Sequence, residues 1–296
     1  MKKHLSVVLR ITISLSLLFY LYKTQDVSKL KEILVTFNLK YLLLSLSLLL
    51  IGTWVSSLRW KTILETSGFS PSIKKLFTLY IQGYFFNNFL PTQMGGDVYK
   101  SIGVGKDIKD HSTALFSVFM DRFSGLVILL LVALFGISSL FGFKGIIFSL
   151  LILFVGLILY FPVLNLFAKK IKFFRKFKRA SLLFLKDKKR GLLVLFYSLL
   201  VQVFSFSSTY ALFLGLGVVL PLWSVFAFMP IAAFSLLIPS FNGFGTQELV
   251  YSYLFANVGV TSIVSITASL LIHIVRLIMS LLGGISLLFG LGYEKK

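Results

Sequence analysis

Residues 90–97 read Leu-Pro-Thr-Gln-Met-Gly-Gly-Asp, and residues 238–248 read Ile-Pro-Ser-Phe-Asn-Gly-Phe-Gly-Thr-Gln-Glu. Each stretch ends an apolar run, opens on a proline, is broken by glycines and closes on an acid. They read as one device used twice. A proline removes a backbone donor and stops a helix. In lipid every backbone polar group must be bonded internally, so irregular chain at membrane depth is confined to places that face protein or a wet cavity. Paired interruptions at corresponding places in two halves of an apolar chain mark a binding site near the bilayer midplane. The two loops therefore predict a cavity and a transporter-like protein.

The composition around them sets the class. Of 296 residues, 57% are hydrophobic and 14% charged, with mean hydropathy +0.93. Apolar runs repeatedly exceed the ~18 residues that mark a membrane-spanning helix. The net charge of +20 would suggest nucleic acid in a soluble protein, but half of the excess sits in one loop between spans. Lys169, Lys170, Lys172, Arg175, Lys176, Lys178, Arg179, Lys186, Lys188, Lys189 and Arg190 are offset there by Asp187 alone. That loop reads as a cytoplasmic orientation signal lying on anionic lipid, with no nucleic-acid partner implied. Phe173, Phe174, Phe177 and Leu182 to Leu185 interleave with the charges, which predicts an interfacial amphipathic helix. The absence of cysteine excludes disulfides, thiolate chemistry and Cys-based zinc sites. Lys2 and Lys3 precede an apolar run that resembles a signal peptide, but no small-residue cleavage site follows before Lys23, so a retained helix is expected.

Complete spans are predicted at about 5–22, 41–60, 112–141, 145–168, 191–217 and 260–290. Two apolar runs are left over. The run 76–90 is 15 residues, about 22 Å as a helix against a hydrocarbon core of about 30 Å, and stops at Pro91. The run 222–238 is 17 residues and stops at Pro239. If both crossed fully, with the N-terminus inside, the loop 169–190 would lie outside, against the positive-inside rule. If both turn back as re-entrant hairpins, that loop, Lys74, Lys75, Lys100, Lys106, Lys109, Lys295 and Lys296 all fall inside, leaving Lys23, Lys29, Lys31, Lys40 and Lys144 outside.

The expected fold is thus all-α: a polytopic helical membrane protein of about six complete spans plus two re-entrant helical hairpins in inverted pseudo-repeat, a single integral membrane domain over 1–296. Span 41–60, hairpin 76–105 and span 112–141 match span 191–217, hairpin 221–257 and span 260–290, in opposite directions. Inverted repeats suit alternating access around a shared central site. Both termini are expected in the cytoplasm.

Ionisable groups inside spans cost roughly 2.5–3.5 kcal/mol each at a helix centre, so each needs a partner or a function. The candidates are Asp97, Asp121, Arg122, Glu248, His273 and Arg276. Each half offers an acid on its hairpin and an arginine on the following span, 25 residues later in the first half and 28 in the second. One reading pairs Asp97 with Arg122 and Glu248 with Arg276 to fix the fold. The other directs helix N-termini after Gly95-Gly96 and Gly243 to Gly245 at a phosphate, with an arginine fork as second ligand. On that reading all four charged residues converge in one cavity. Arg59-Trp60-Lys61 closes a span and reads as an interfacial anchor, with a headgroup contact as the alternative. Asn87 and Asn88, beside Pro91, can satisfy freed backbone groups or line the cavity. His273 shares a helix face with Arg276 and reads as a hydrogen-bonded packing residue, with a proton relay as the alternative. No metal-ligand cluster, Walker-type phosphate loop or G-x-S-x-G turn occurs, and nothing marks an activated nucleophile, so neither an enzyme nor a cofactor is expected.

These residues carry a resemblance. Arg59-Trp60, the Asn-rich helix end with Pro91-x-x-x-Gly95-Gly96-Asp97, Asp121-Arg122-x-x-Gly125, Pro239-x-x-x-Gly243-x-Gly245-x-x-Glu248 and Arg276 together resemble the lysylphosphatidylglycerol synthase transmembrane-region family. That family includes the flippase half of the multiple peptide resistance factor. The resemblance covers nearly the whole length, with Lys100 where the family pattern usually has arginine, and with Phe241-Asn242 and Gln247 altering the flanks of the second motif. A soluble aminoacyl-transferase domain is not expected in this chain. The resemblance implies translocation of an anionic or phosphate-containing lipid across the inner membrane without ATP hydrolysis. The alternative is a membrane partner of a lipid-linked, polyprenyl-phosphate glycosyltransferase pathway, and an oligomer is compatible with either.

Overall fold

The computed structural model describes residues 2–24, 27–89, 95–170, 174, 175, 178, 182, 186–235, 240 and 242–290, and these are helical almost throughout with no strand among them. In chain order the helices are α1 (Lys2–Thr24), α2 (Val27–Thr36), α3 (Leu39–Glu65), α4 (Ile73–Phe89) and α5 (Gly95–Ile108). The stretch His111–Lys170 follows, and its backbone breaks at Gly142 (φ 57°, ψ −141°) into α6 (111–141) and α7 (143–170). A side chain at Gly142 would be strained in that conformation, so glycine permits the sharp turn. Then come α8 (Lys188–Gly215), α9 (Leu222–Phe234), α10 (Thr246–Ala256) and α11 (Ser262–Leu288). Asn38 caps α3 by accepting from Lys40 N–H at 3.1 Å, and Asp187 caps α8 by accepting from Arg190 N–H at 3.1 Å. The latter bond holds the exposed Asp187 carboxyl below its usual range.

Helices α3, α8, α11 and the part of α6 at His111–Leu134 are long and apolar enough to cross a membrane. Helices α1 and α7 cover the remaining two spans expected from the sequence. Large apolar side chains such as Leu15, Phe19, Phe154, Leu281 and Leu288 stand exposed, as lipid-facing residues do. The protein is a multi-pass membrane protein. The sequence did not announce α2, a short helix that packs on α11.

The seam of the molecule is the antiparallel contact of α3 with α8. Asn38 N–H donates to Gly215 C=O at 3.0 Å, Ser45 Oγ lies 2.8 Å from Ser208 Oγ, and Arg59 Nη1 donates to Ser198 Oγ at 3.2 Å. Between them Gly52 lies against Phe204, where an added Cβ would come within 3.2 Å. Small and hydroxyl side chains let two spans approach closely. Because α3 and α8 are corresponding helices of the two halves and run antiparallel, the halves are inverted with respect to each other.

The short helices form two hairpins. In the first, Asn87 near the end of α4 accepts from Gly96 N–H at 2.8 Å, Tyr99 donates to Gln82 Oε1 at 2.8 Å, and Gly103 lies beside Leu79, so α5 doubles back along α4. In the second, Ser240 Oγ meets Thr246 Oγ1 at 3.0 Å, Tyr251 donates to Met229 Sδ at 3.3 Å, and the rings of Phe228 and Phe255 lie 5.4 Å apart, so α10 doubles back along α9. One arm of each hairpin is exchanged between halves: α4 packs on α11 and α9 on α6, while α5 stays on α6 and α10 on α11. Glycine makes both crossings possible. A Cβ on Gly283 would lie 2.2 Å from Ile81 O, and one on Gly136 would lie 2.4 Å from Ala227 Cα. Among the described residues, the pairings made by α3, α4, α5 and α6 have counterparts among those of α8, α9, α10 and α11, which is the pattern a pseudo-twofold axis through the seam produces.

Ile63, Phe116, Met120 and Val194 cluster with Phe174, which places the C-terminal end of α3, the N-terminal ends of α6 and α8 and residue 174 at one end of the molecule. A Lys75–Asp107 ion pair ties the outer ends of α4 and α5 together. Much of the predicted amphipathic loop, including Lys172, Lys176 and Arg179, lies outside the described residues, as do Pro91, Pro239, Lys295 and Lys296.

Candidate functional site

Between the two hairpins lies a cavity of ≈ 920 Å³. It is walled by α2, α3, α4, the start of α5, α6, α8 and α11, with Asn242 and Phe244 entering from the second Gly-rich loop. Leu34, Val201, Leu270, Leu271, Ile274 and Leu277 line it with apolar surface, and its charged side chains fall into two clusters, one per half.

The first cluster is a closed network of fixed charges. Asp121 is buried on α6 and accepts from Arg59 Nε at 2.8 Å, with Tyr80 O–H donating to its other oxygen. Lys100 Nζ lies 3.0 Å from Asp97 Oδ1 and 3.7 Å from Asp121 Oδ2, and 4.0 Å above the Tyr80 ring. Arg122 grips Asp97 with both prongs, Nε to Oδ2 at 2.9 Å and Nη2 to Oδ1 at 3.1 Å. Three cations thus face two carboxylates, and the Arg122 side chain remains half-exposed to the cavity.

Arg59 and Trp60 correct the interfacial reading. Arg59 is 5% exposed and Trp60 0%, the latter donating Nε1–H to Ser117 Oγ at 2.9 Å. They face inward because α3 continues to Glu65 and its last two turns pack beneath α4 and α6. The signal lay in the span itself: Ser45, Gly52, Thr53, Ser56 and Ser57 form a small, polar stripe that marks a packed helix.

The second cluster departs from the expected Glu248–Arg276 pair. Glu248, 0% exposed, accepts from Gly245 N–H at 2.6 Å and from Ser269 Oγ at 2.9 Å, and its Oε1 lies 3.0 Å from His273 Nε2. His273, 25 residues after Glu248 as Arg122 is after Asp97, takes the place intended for the arginine. Arg276, a turn further along α11, donates Nη1–H to the neutral Gln247 Oε1 at 2.9 Å and has no carboxylate within ion-pair distance among the described residues. It lines the cavity. Asn88 bridges the halves, donating to Arg276 C=O at 3.4 Å and accepting from Asn242 Nδ2 at 2.9 Å.

Two backbone donors at the Gly-rich helix starts are engaged within the protein. Gly96 N–H is taken by Asn87 and Gly245 N–H by Glu248. Gly243 C=O accepts from Gln247 N–H at 2.9 Å, and Gly95 is buried at the start of α5. The glycines also serve close approach: a Cβ on Gly96 would lie 2.3 Å from Gly83 O, and one on Gly245 2.5 Å from Leu17 Cβ of α1. Tyr80, Tyr84, Asn242 and Phe244 were missed as wall residues. Tyr80, Tyr84, Asn87 and Asn88 recur at helical spacing on one face of α4, and that spacing was the available signal.

The described residues hold no group of three His, Cys, Asp or Glu arranged for a metal. Among the described residues, the cavity offers the Arg276 guanidinium bound to an amide, those of Arg122 and Arg59 paired with Asp97 and Asp121, and a broad apolar wall.

The sequence profile of the lysylphosphatidylglycerol synthase TM region matches residues 7–284. The chain belongs to this family. Among its relatives is a UPF0104 membrane protein of Pyrococcus horikoshii, 25% identical over 97% of each chain. Another is a UPF0104 membrane protein of Methanocaldococcus jannaschii, 27% identical over 88% of each. No solved structure matches the chain. The family match spans both hairpins and both charge clusters, from α1 to α11.

Proposed function

We propose that this member of the lysylphosphatidylglycerol synthase TM family carries an amphiphilic lipid with a phosphate-containing headgroup between leaflets, the headgroup in the cavity and the acyl chains along its apolar wall. The observation that supports this is Arg276. A guanidinium at membrane depth is expensive unless paired, and this one lines a cavity with an amide as its partner. Its planar fork suits two phosphate oxygens. Around it the four cations Arg59, Lys100, Arg122 and Arg276 exceed the three carboxylates Asp97, Asp121 and Glu248, so the site favours an anion. The inverted halves supply the symmetry that alternating access uses. Orientation follows from charge: the end carrying Lys106, Lys109 and Lys188 to Arg190 faces the cytoplasm.

The test is translocation of fluorescent phosphatidylglycerol in proteoliposomes. Arg276→Lys keeps the charge and loses the fork, and is expected to slow translocation about tenfold while the protein remains folded. Unchanged translocation by that variant overturns the assignment of Arg276. Lipid binding without translocation would instead favour presentation of the lipid to a membrane enzyme.

A further inference from the structure

We propose that Glu248 and His273 together form a proton-binding site whose occupancy is coupled to anion binding at Arg276, so that the lipid phosphate enters the cavity together with a proton. This rests on the lipid reading above.

The geometry carries it. Glu248 is sealed from the cavity, whereas His273 lines it, so a proton reaches the carboxylate's neighbourhood by way of the imidazole. Glu248 Oε1 and His273 Nε2 are 3.0 Å apart, close enough to share one proton, and the pair titrates as a unit. Phe244 stacks on the imidazole at 3.9 Å between ring centres and fixes its plane. Gly245 N–H and Ser269 Oγ hold the carboxylate from the other sides.

The two clusters differ in whether their charge can change. In the first, Arg59, Lys100 and Arg122 are locked to Asp97 and Asp121 by ion pairs. In the second, the carboxylate meets an imidazole, the group whose unperturbed titration falls between pH 5 and 8. With the pair unprotonated, the Glu248 charge offsets that of Arg276 one turn along α11. With a proton bound, the pair is neutral, and Arg276 is left as an uncompensated cation facing the cavity. Anion and proton therefore favour each other's binding, as linkage requires.

The other charged or titratable groups around the pair are consistent with this. Arg276 on α11 and Tyr251 on α10 are its electrostatic neighbours, and Tyr84 on α4 is a neighbour of Arg276. Helix α2, packed on α11, brings Lys29, Lys31 and Glu32. Arg59 of α3 is committed to Asp121, α9 has no titratable residue, α8 contributes tyrosines within its span, and α1 carries Tyr20, Tyr22 and Lys23 toward its end.

The test uses purified full-length protein in detergent and dihexanoyl phosphatidylglycerol, whose phosphodiester does not titrate in this range. Calorimetry in two buffers of different ionisation enthalpy counts the protons exchanged. Wild type is expected to take up protons on binding near neutral pH, and to bind about tenfold more tightly at about pH 5.5 than at about pH 8. His273→Gln, which keeps an N–H for Glu248, is expected to bind with no proton uptake and no pH dependence. Wild-type binding without proton uptake, or pH dependence that survives in His273→Gln, overturns the proton site while the lipid reading stands. No binding by wild type at either pH overturns the lipid reading and this inference with it. If His273→Gln does not fold, the wild-type proton count alone decides.

Discussion

Asp121 and Arg276 are both polar groups in the wall of one cavity, and they should behave oppositely when changed. Asp121 closes a buried network, so Asp121→Asn leaves Arg59 without its counter-charge and should destabilise the protein by about 3–5 kcal/mol. Arg276 neutralises no carboxylate by direct contact, so Arg276→Leu leaves only the Gln247 amide short of a partner, at about 1 kcal/mol. Thermal unfolding in detergent measures both, and a larger loss for Arg276→Leu would show that the arginine holds the fold. At this scale the sequence was half legible. The Asp97–Arg122 pair could be read from spacing, since an acid near a helix start and an arginine on the next span must find each other in lipid. The second pair could not. His273 and Arg276 lie on the same face of α11, and which of them meets Glu248 depends on how α10 rests against that helix, a tertiary quantity that spacing does not encode.

At the scale of elements, the first hairpin exists because Gly83 and Gly96 bring α4 and α5 into backbone contact. Gly96→Ala should push the helices apart, cost about 1–3 kcal/mol and disturb the Asn87 bond to Gly96 N–H. Gly156→Ala in α7 meets no atom within 4 Å and should be neutral or slightly stabilising. Equal stability of the two variants would refute the close-contact role. Here the sequence was more informative, because proline and glycine placed two breaks in otherwise continuous apolar runs. It was silent on α2, which is too short and too mixed in composition to stand out from a loop.

At the scale of the molecule, the proposed orientation rests on charge. In this cysteine-free chain, single cysteines at Lys106 and Lys178 should be labelled from the same side of the membrane, and one at the exposed Val219 from the other. In intact cells an impermeant maleimide should reach only Val219→Cys. Labelling of Lys178→Cys under those conditions would reverse the orientation. The inverted repeat was legible because positive charge and span length both constrain how often a chain crosses. The exchange of one hairpin arm between halves was not, since nothing local distinguishes packing on one's own half from packing on the other.

That exchange makes the two halves behave as complementary subunits that happen to share a tether. With α4 resting on α11 and α9 on α6, neither half alone can cover the glycine faces of its long helices. Severed within the basic segment at Lys178, the chain should assemble when both pieces are produced together and be degraded when either is produced by itself. The linking segment would then be a convenience of synthesis, and an injury to one piece would be felt as instability of the other.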